Sequence, residues 1–171
     1  MDSDVANGTS HVLTGLAVLH TAEAYAMLKL RSDCEQALGK AEWHFSQIAF
    51  TDAAIDLFSP TQHGRLAGSC YLFLQEAKRA EPILDVTAKA LQDRSKSRAI
   101  VLGNLALALI RQQKLDEGVA ALHDAIDVVE QTWGGGGLNI VFGAGRELKP
   151  WRHVAAVQDV YDRLLALMAA A

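Results

Sequence analysis

Cysteine is scarce in this chain of 171 residues, which has only two, Cys34 and Cys70. They lie far apart in apolar stretches, whereas a disulfide framework needs more cysteines and a metal site needs close partners. We therefore predict two buried free thiols, no metal site and a reducing compartment, which favours a cytoplasmic protein.

Long apolar runs and an excess of positive charge are also missing. The longest apolar run, Ala99–Ile110, is interrupted by Gly103 and Asn104, and it is shorter than the roughly 18–20 residues that span a membrane. The net charge is −4, whereas phosphate binding needs clustered Lys and Arg. We predict no membrane association and no direct contact of this chain with nucleic acid.

The chain begins with a polar, acidic stretch, MDSDVANGTSH. This composition does not fit a secretory signal, which needs a basic start and an apolar centre. We predict a disordered N-terminus at residues 1–10 and one helical domain at residues 11–171, a length that suits a single core.

Proline is rare and β-branched runs are short, so helix-forming residues dominate the chain. Ser32 and Glu35 have the spacing of a capping box, and Ser59, Pro60 and Gln62 predict another helix start. We predict an all-α fold of seven or eight helices in antiparallel pairs, with space for one short turn at 50–60. The predicted helices cover residues 10–30, 32–49, 60–74, 78–91, 97–112, 115–131, 138–148 and 154–168.

Small residues recur among large aliphatic ones at a constant spacing. In the fifth and sixth helices they are Ala106, Gly118 and Ala125, with Leu109 and Leu122 between them. A shift of 38 residues gives the matching positions Gly68, Ala80 and Thr87, with Tyr71 and Leu84 between them. The first pair is predicted to place Tyr25, Ala37 and His44 there, with Leu28 and Ala41 between them. These spacings are the pattern of the tetratricopeptide repeat.

Close packing explains the small residues. Two antiparallel helices approach closely only where a bulky side chain is absent, and larger neighbours then fill the interface. Gly118 inside a helix costs about 1 kcal/mol relative to Ala, which makes sense if that position requires close contact. We predict that the small residues point into the seam of each pair and that the pairs stack into a curved solenoid.

Three longer stretches carry a likeness to one family: RLAGSCYLFLQEAKRAEPIL (65–84), RAIVLGNLALALIRQQKLDEGVAAL (98–122) and LKPWRHVAAVQDVYDRL (148–164). Together they resemble the C-terminal tetratricopeptide-like domain of actinobacterial helix-turn-helix transcriptional regulators. In that family a small DNA-binding domain precedes the helical repeats, and Leu-x-Pro-Trp before an amphipathic last helix is typical. The resemblance covers most of the chain from about Thr21 onward and implies regulation by binding.

The chain departs from that family in three ways. Tyr25 and His44 stand where small residues are expected, the seventh helix is rich in glycine, and the sequence contains no DNA-binding domain. We expect either a C-terminal domain taken from a longer regulator or a stand-alone relative that lacks the DNA-binding domain.

No catalytic or cofactor motif stands out. The glycines at 134–137 lack the Lys and the preceding strand of a phosphate-binding loop, so we predict a helix connection with a left-handed cap. His123 and Asp127 share a helix face and are interpreted as a surface feature. Trp133 is assigned to the core, with an exposed position that lines a pocket as the alternative, and Trp151 is predicted to anchor the last helix. The sequence predicts a non-catalytic protein with no cofactor.

The first helix of each pair lines the concave face of a tetratricopeptide array. On the register above, the predicted groove for a ligand or partner is formed by Arg65, Ser69, Leu72, Phe73, Gly103, Leu107 and Arg111. The two arginines flank an apolar strip, where they could hold a carboxylate by paired hydrogen bonds.

Three functions remain open at this point. The first is the sensing and dimerisation domain of a transcriptional regulator, which binds a peptide, a protein or a small-molecule effector. The second is a stand-alone adaptor for protein–protein interaction. The third is an enzyme that holds a small apolar metabolite on the same scaffold, although no catalytic group is identified for it.

Overall fold

The computed structural model describes residues 10–91, 95–133 and 135–170, and every regular element in these ranges is helical. Eight α-helices follow one another: α1 (His11–Met27), α2 (Arg31–Ser46), α3 (Gln62–Phe73), α4 (Ala77–Ala90), α5 (Lys96–Arg111), α6 (Leu115–Thr132), α7 (Gly135–Glu147) and α8 (Ala155–Ala170). Short 3-10 turns lie at Ile55–Leu57 and Lys149–Trp151. The predictions of an all-α fold and of a turn within 50–60 are confirmed.

Helix α1 begins at His11 and is capped by Ser10, a residue that the sequence had assigned to the N-terminal tail. The Ser10 hydroxyl accepts a hydrogen bond from the Leu13 amide at 3.1 Å, which satisfies one of the free amides at the helix start. Ser95 caps α5 in the same way, accepting from the Arg98 amide. The rest of the predicted disordered segment, residues 1–9, lies outside the described residues.

The two caps that the sequence predicted are wrong. Helix α2 begins at Arg31, so Ser32 lies inside its first turn and makes no cap, and the residue before the helix is Leu30. Helix α3 begins at Gln62, and the Ser59 hydroxyl bonds that of Thr61 instead of a backbone amide. Pro82, predicted near the first turn of α4, lies in the second turn, where its missing N–H removes a bond to the carbonyl four residues earlier.

The same tight turn joins the two helices of each of the first three pairs. One residue per turn has left-handed backbone, with φ of 63° at Lys29, 64° at Gln75 and 63° at Gln113. In each turn the N–H of this residue donates to the carbonyl three residues earlier, and the N–H of the next residue donates to the carbonyl five residues earlier. In the third turn Gln113 donates to Ile110, and Lys114 donates to Leu109. Both bonds satisfy carbonyls at the end of the first helix.

These turns correct the alignment of the first pair. Gln75 and Gln113 are 38 residues apart, but Lys29 and Gln75 are 46 residues apart, because the link between the first and second pairs is longer than the next. The small positions of the first pair are therefore Ala22, Cys34 and Ala41, all fully buried, with Tyr25 and Leu38 between them. The predicted set of Tyr25, Ala37 and His44 was wrong by three residues.

The small residues point into the seams, as predicted. A Cβ on Gly68 would lie 2.3 Å from Leu84 Cδ2, across the α3–α4 seam. A Cβ on Gly118 would lie 2.8 Å from Ile110 Cγ1 and 3.2 Å from the Ile110 backbone nitrogen, across the α5–α6 seam. Ala80 and Ala106 have no exposed surface.

The pairs contact one another in chain order. Helix α1 packs on α3, α3 on α5 and α5 on α7, while α4 closes over α5 from the other side. Helix α5 lies at the centre, and every residue from Val101 to Ala106 is buried. This arrangement is consistent with a helical repeat.

The glycine run does not form the predicted connection. Trp133 takes the left-handed turn, with φ of 44°, and Gly135 already begins α7. A Cβ on Gly137 would lie 3.0 Å from both Ala99 Cβ and Val129 Cγ2, so this glycine lets α7 approach α5 and α6. Gly134 lies outside the described residues.

Two predictions for tryptophan have different outcomes. Trp133 is 46% exposed, so its assignment to the core is wrong. Trp151 is partly buried against the core shortly before α8, and its role as the anchor of the last helix stays a prediction.

His123 and Asp127 take part in a junction between α6 and α8. Arg163 of α8 bonds Asp127 Oδ1 at 2.6 Å and Glu130 Oε2 at 3.1 Å, and its Nη1 lies 3.1 Å from His123 Nδ1. These residues therefore hold the last helix in place, which the interpretation as a surface feature had not included.

A groove across the first helices of the pairs

A groove of about 460 Å³ crosses α1, α3, α5 and α7. Five residues predicted for the ligand groove line it: Ser69, Leu72, Phe73, Leu107 and Arg111. We call it the central groove. Whether these five residues bind a ligand stays a prediction.

The other two predicted residues lie outside its lining. Arg65 donates to the Ser97 hydroxyl, and its buried Nε has no hydrogen-bond partner among the described residues. Gly103 is buried under α7, where an added Cβ would lie 2.5 Å from Ile140 Cγ2. Gly103 therefore allows close helix packing.

The predicted anion clamp of two arginines is not present in this form. Arg111 donates to the Leu72 carbonyl at 3.1 Å and to Glu147 Oε1 at 3.0 Å. Lys29 donates to the neighbouring carbonyl of Phe73. Both cations therefore lie at the C-terminal end of α3, where cations offset the partial negative charge of free carbonyls.

The centre of the groove is polar. Asn104 is only 5% exposed, and its Nδ2 donates to the Ser69 hydroxyl at 3.0 Å. Ser69 donates in turn to the Arg65 carbonyl at 3.2 Å. Among the described residues Asn104 Oδ1 has no hydrogen-bond partner, and this oxygen keeps some surface that is accessible to solvent. An amide oxygen is therefore available to a donor that enters the groove.

Apolar side chains flank this amide. Leu72 and Phe73 come from α3, Ile100 and Leu107 from α5, and Ile140 from α7. Phe73 is 37% exposed, so a bound ligand would remove its ring from water. A few polar groups between apolar walls are typical of a ligand site.

Asn104 was noticed in the sequence only as a break in an apolar run. The groove face of α5 is Ile100, Asn104, Leu107 and Arg111, at the three- and four-residue spacings of one helix face. The face predicted from the sequence began at Gly103 and was therefore displaced by one residue at this end. A polar residue at helical spacing from Leu107 and Arg111 was the signal that could have identified it.

Other cavities are slightly larger, among them one of about 500 Å³ lined by residues 75–79 and 111–113. One of about 580 Å³ lies between the 58–64 segment and α4, and one of about 560 Å³ lies between α7 and α8. The central groove differs because four helices meet there around a nearly buried amide. We therefore take it as the candidate site.

The two cysteines carry no such chemistry. Cys34 and Cys70 are free thiols with no exposed surface, and burial raises the pKa of both above its usual value. A raised pKa suppresses the reactive thiolate. The free, buried state predicted for them is confirmed.

The described residues form neither a cluster of metal ligands nor a membrane-spanning helix. Within residues 10–91, 95–133 and 135–170, no group of three or more His, Cys, Asp or Glu side chains is placed to hold a metal ion. None of the described helices has the length and apolar character needed to cross a membrane.

No family model, curated protein or solved structure matches this chain. The central groove is therefore the main evidence for a function, and the resemblance to regulator domains stays a prediction.

Proposed function

We propose that this chain is a non-catalytic binding module whose central groove takes an extended peptide segment, as the sensing domain of a transcriptional regulator. The observation that carries the proposal is the Asn104 amide, held by Ser69 between apolar walls with its oxygen free. The residue resemblance to regulator repeat domains supports the regulatory part. The free buried thiols agree with a cytoplasmic location.

The chemistry of the groove favours a ligand with a backbone N–H. A side-chain amide oxygen accepts but does not donate, and Asn104 Nδ2 is already bonded to Ser69. A peptide amide would pair with Oδ1 while its side chains cover Phe73 and Leu107. Leaving a buried acceptor unpaired costs about 1–3 kcal/mol, so a ligand without a donor at this place would bind more weakly.

A ligand in the groove could regulate the protein because it would contact helices from different pairs. Its lining comes from α1, α3, α5 and α7, which belong to different pairs. A ligand that contacts all of them binds one arrangement of the pairs better than any other and shifts the population toward it. In a regulator this shift would change dimerisation or the attached DNA-binding domain.

Peptide selection tests the binding proposal directly. A display library of random linear peptides is selected on the full chain and counter-selected on the Asn104→Leu variant. We expect peptides that bind the wild-type chain with micromolar affinity and at least tenfold more weakly after the substitution. Circular dichroism checks that the variant keeps its helix content.

Two phenylalanines provide a matched pair for the same assay. Phe73→Ala removes a ring of the groove, whereas Phe50→Ala removes a fully exposed ring outside it. The first should weaken binding and the second should leave it unchanged. If neither Asn104→Leu nor Phe73→Ala changed the affinity for the selected peptides, the groove would be ruled out as the binding site.

A stand-alone adaptor remains a second candidate because Leu165 and Met168 expose 61% and 64% of their surface at the α7–α8 end. The native reading frame that encodes this chain distinguishes the two functions. A helix-turn-helix domain encoded upstream, with a dimer at micromolar concentration, supports the regulator. Its absence together with a monomeric chain supports the adaptor.

A further inference from the structure

The first helix of the array has one side that no other element covers. Helix α1 packs on α2 and α3, and its buried residues, among them Leu19, Ala22 and Ala26, lie on one side of the helix. In the part of the chain that the structure describes, the opposite side is exposed along the whole helix. Its residues are Leu13, Ala17, His20, Thr21, Ala24, Met27 and Leu28. We call them the outer face of α1.

The composition of the outer face is that of a contact surface. A helix on the surface of a protein normally carries charged residues opposite its buried stripe, and a helix that is apolar all round is normally buried. The outer face has no Lys, Arg, Asp or Glu, and Leu13, Met27 and Leu28 expose 51%, 60% and 68% of their surface. The exposed side of α2, by contrast, includes Lys40 and Glu42.

The order of residues along the outer face is nearly the same from both ends. Leucines lie at the two ends, alanines come next and two polar residues lie at the centre: Leu13, Ala17, His20, Thr21, Ala24 and Leu28. The midpoint of each equivalent pair falls between residues 20 and 21. A twofold axis at this midpoint therefore brings each position of one copy against its equivalent in a second copy, which is what a self-complementary interface requires.

We propose that the outer face of α1 is a dimerisation surface and that its partner is a second copy of this chain, packed antiparallel about a twofold axis between residues 20 and 21. The inference deepens the dimerisation part of the proposed function and rests on it only for its regulatory meaning. No residue of the outer face lines the central groove, so the dimer and peptide binding are tested separately and can fail separately.

The contact uses the same packing as the seams inside each pair. Ala17 of one copy lies against Ala24 of the other, and these small side chains let the two helix axes approach to about 8 Å. Leu13 of one copy lies against Leu28 of the other at both ends of the contact, where the larger side chains fill the space beside the alanines. Removing these leucines from water stabilises the dimer.

The polar centre fixes the alignment of the two helices. His20 of one copy faces Thr21 of the other, where an imidazole and a hydroxyl can form a hydrogen bond. A polar position inside an apolar helix contact specifies the register at some cost in stability. A helix of 17 residues is about 26 Å long and 10–12 Å wide. The buried area is therefore on the order of a few hundred Å² per copy, less than the ~800 Å² of a standard interface, and we expect a Kd of about 1–100 µM.

Sedimentation equilibrium of the full chain between 1 and 300 µM, loading concentrations that span this range of about 1–100 µM, measures the dimer. Ala17→Glu and Ala24→Glu keep helix propensity but place a carboxylate in the contact, so each should weaken dimerisation at least tenfold. Val86→Glu is the matched control, because Val86 is 67% exposed on α4, away from the outer face, and its dimer should be unchanged. Unchanged dimers in both alanine variants would overturn the proposal. A wild-type chain that stays monomeric at the highest concentration would overturn it too and would indicate that another partner covers α1.

Cysteine substitutions test the antiparallel arrangement. His20→Cys lies within about 2 Å of its own copy along the helix axis, whereas Leu13→Cys lies about 22 Å from its own copy, and a disulfide needs Cα atoms within about 7 Å. Mild oxidation should therefore link His20→Cys chains into dimers and leave Leu13→Cys chains unlinked, while a mixture of Leu13→Cys with Leu28→Cys should be linked. The native cysteines are buried and serve as the background. Linkage of Leu13→Cys to itself would show a parallel contact and would contradict the twofold axis proposed here.

Discussion

The first and third helix pairs share a turn and a seam but differ in burial. Both turn through one left-handed residue, Lys29 or Gln113, and both place three small residues in the seam. Yet ten of the sixteen residues of α5 are buried, against four of the sixteen of α2. Helix α5 is covered by α4, α6 and α7, whereas α2 packs on α1 and only lightly on α3. The seam motif is therefore enough to make a helix pair, and the neighbouring helices decide how much of that pair is buried.

The largest expected effect comes from emptying equivalent positions in the two pairs. Leu122 and Leu38 occupy the same register, and they are 0% and 5% exposed. We expect Leu122→Ala to lower the free energy of unfolding by about 4 kcal/mol and Leu38→Ala by about 2–3 kcal/mol, because the central site can collapse less. Urea unfolding measures both, with the slope showing whether the transition stays two-state. Equal losses of stability in the two variants would contradict the conclusion that the neighbouring helices decide how much of each pair is buried.

Filling a seam should have the next largest effect. Gly118→Ala places a methyl group against Ile110, including its backbone nitrogen at 3.2 Å, so we expect a loss of about 1–3 kcal/mol from overpacking. Gly39→Ala is the matched control, because Gly39 lies inside α2 with nothing within 4 Å of an added Cβ. There the higher helix propensity of Ala should stabilise the protein by up to about 1 kcal/mol. A gain at both positions would show that the third seam does not need its glycine.

A smaller gain is expected in the shared turn. Gln113 has φ of 63°, a conformation that costs a non-glycine residue about 1–2 kcal/mol. Gln113→Gly should raise the free energy of unfolding by about 0.5–1 kcal/mol, since glycine's greater freedom in the unfolded chain offsets part of the relief. Gln113→Ala should give no such gain. Thermal unfolding of the two variants distinguishes backbone relief from loss of the side chain.

The smallest effect concerns charges that join successive pairs. Lys114 Nζ bonds both oxygens of Glu81 at 2.7 and 2.8 Å, and this ammonium is the main cause that lowers the pKa of Glu81. Because the folded pKa is the lower one, the stabilisation is present above the ordinary carboxyl pKa of about 4.3 and is lost as the pH falls through the folded value. We expect a coupling of about 0.5 kcal/mol at pH 7.

A double-mutant cycle of Glu81→Gln and Lys114→Met measures this coupling, and repeating it at successively lower pH should show it decline as the Glu81 carboxylate becomes protonated. The corresponding junction of the first pair, Glu35 with Arg79, is more exposed and should couple more weakly. A coupling that stays constant as the pH falls until the protein unfolds would show that the two side chains interact without charge.

The sequence predicted all eight helices to within a few residues, but it misplaced two of the caps. Ser32 has the right spacing to Glu35, yet the left-handed turn at Lys29 starts α2 before it. The hydrogen bonds of that turn are made by backbone groups, so they leave no signature in side-chain patterns. The same turn, once seen, aligns the three pairs and removes the apparent departures at Tyr25 and His44.

The candidate site was predicted in part. Ser69, Leu72, Phe73, Leu107 and Arg111 share a groove because they lie on the first helices of successive pairs, as the repeat pattern implies. Asn104 was missed by one residue of register, and the bonds that Arg111 makes to Leu72 and Glu147 join helices far apart in sequence. No spacing along one helix indicates such a bond.

The spacing of small and large residues indicated the helix pairs, because two helices approach closely only where small side chains recur at that spacing, and this can be seen in the sequence. The burial of α5, the free oxygen of Asn104 and the exposure of the outer face of α1 were decided only by the tertiary structure. Each of them depends on which helices lie side by side, and that depends on the length of the links and on the order in which the pairs stack.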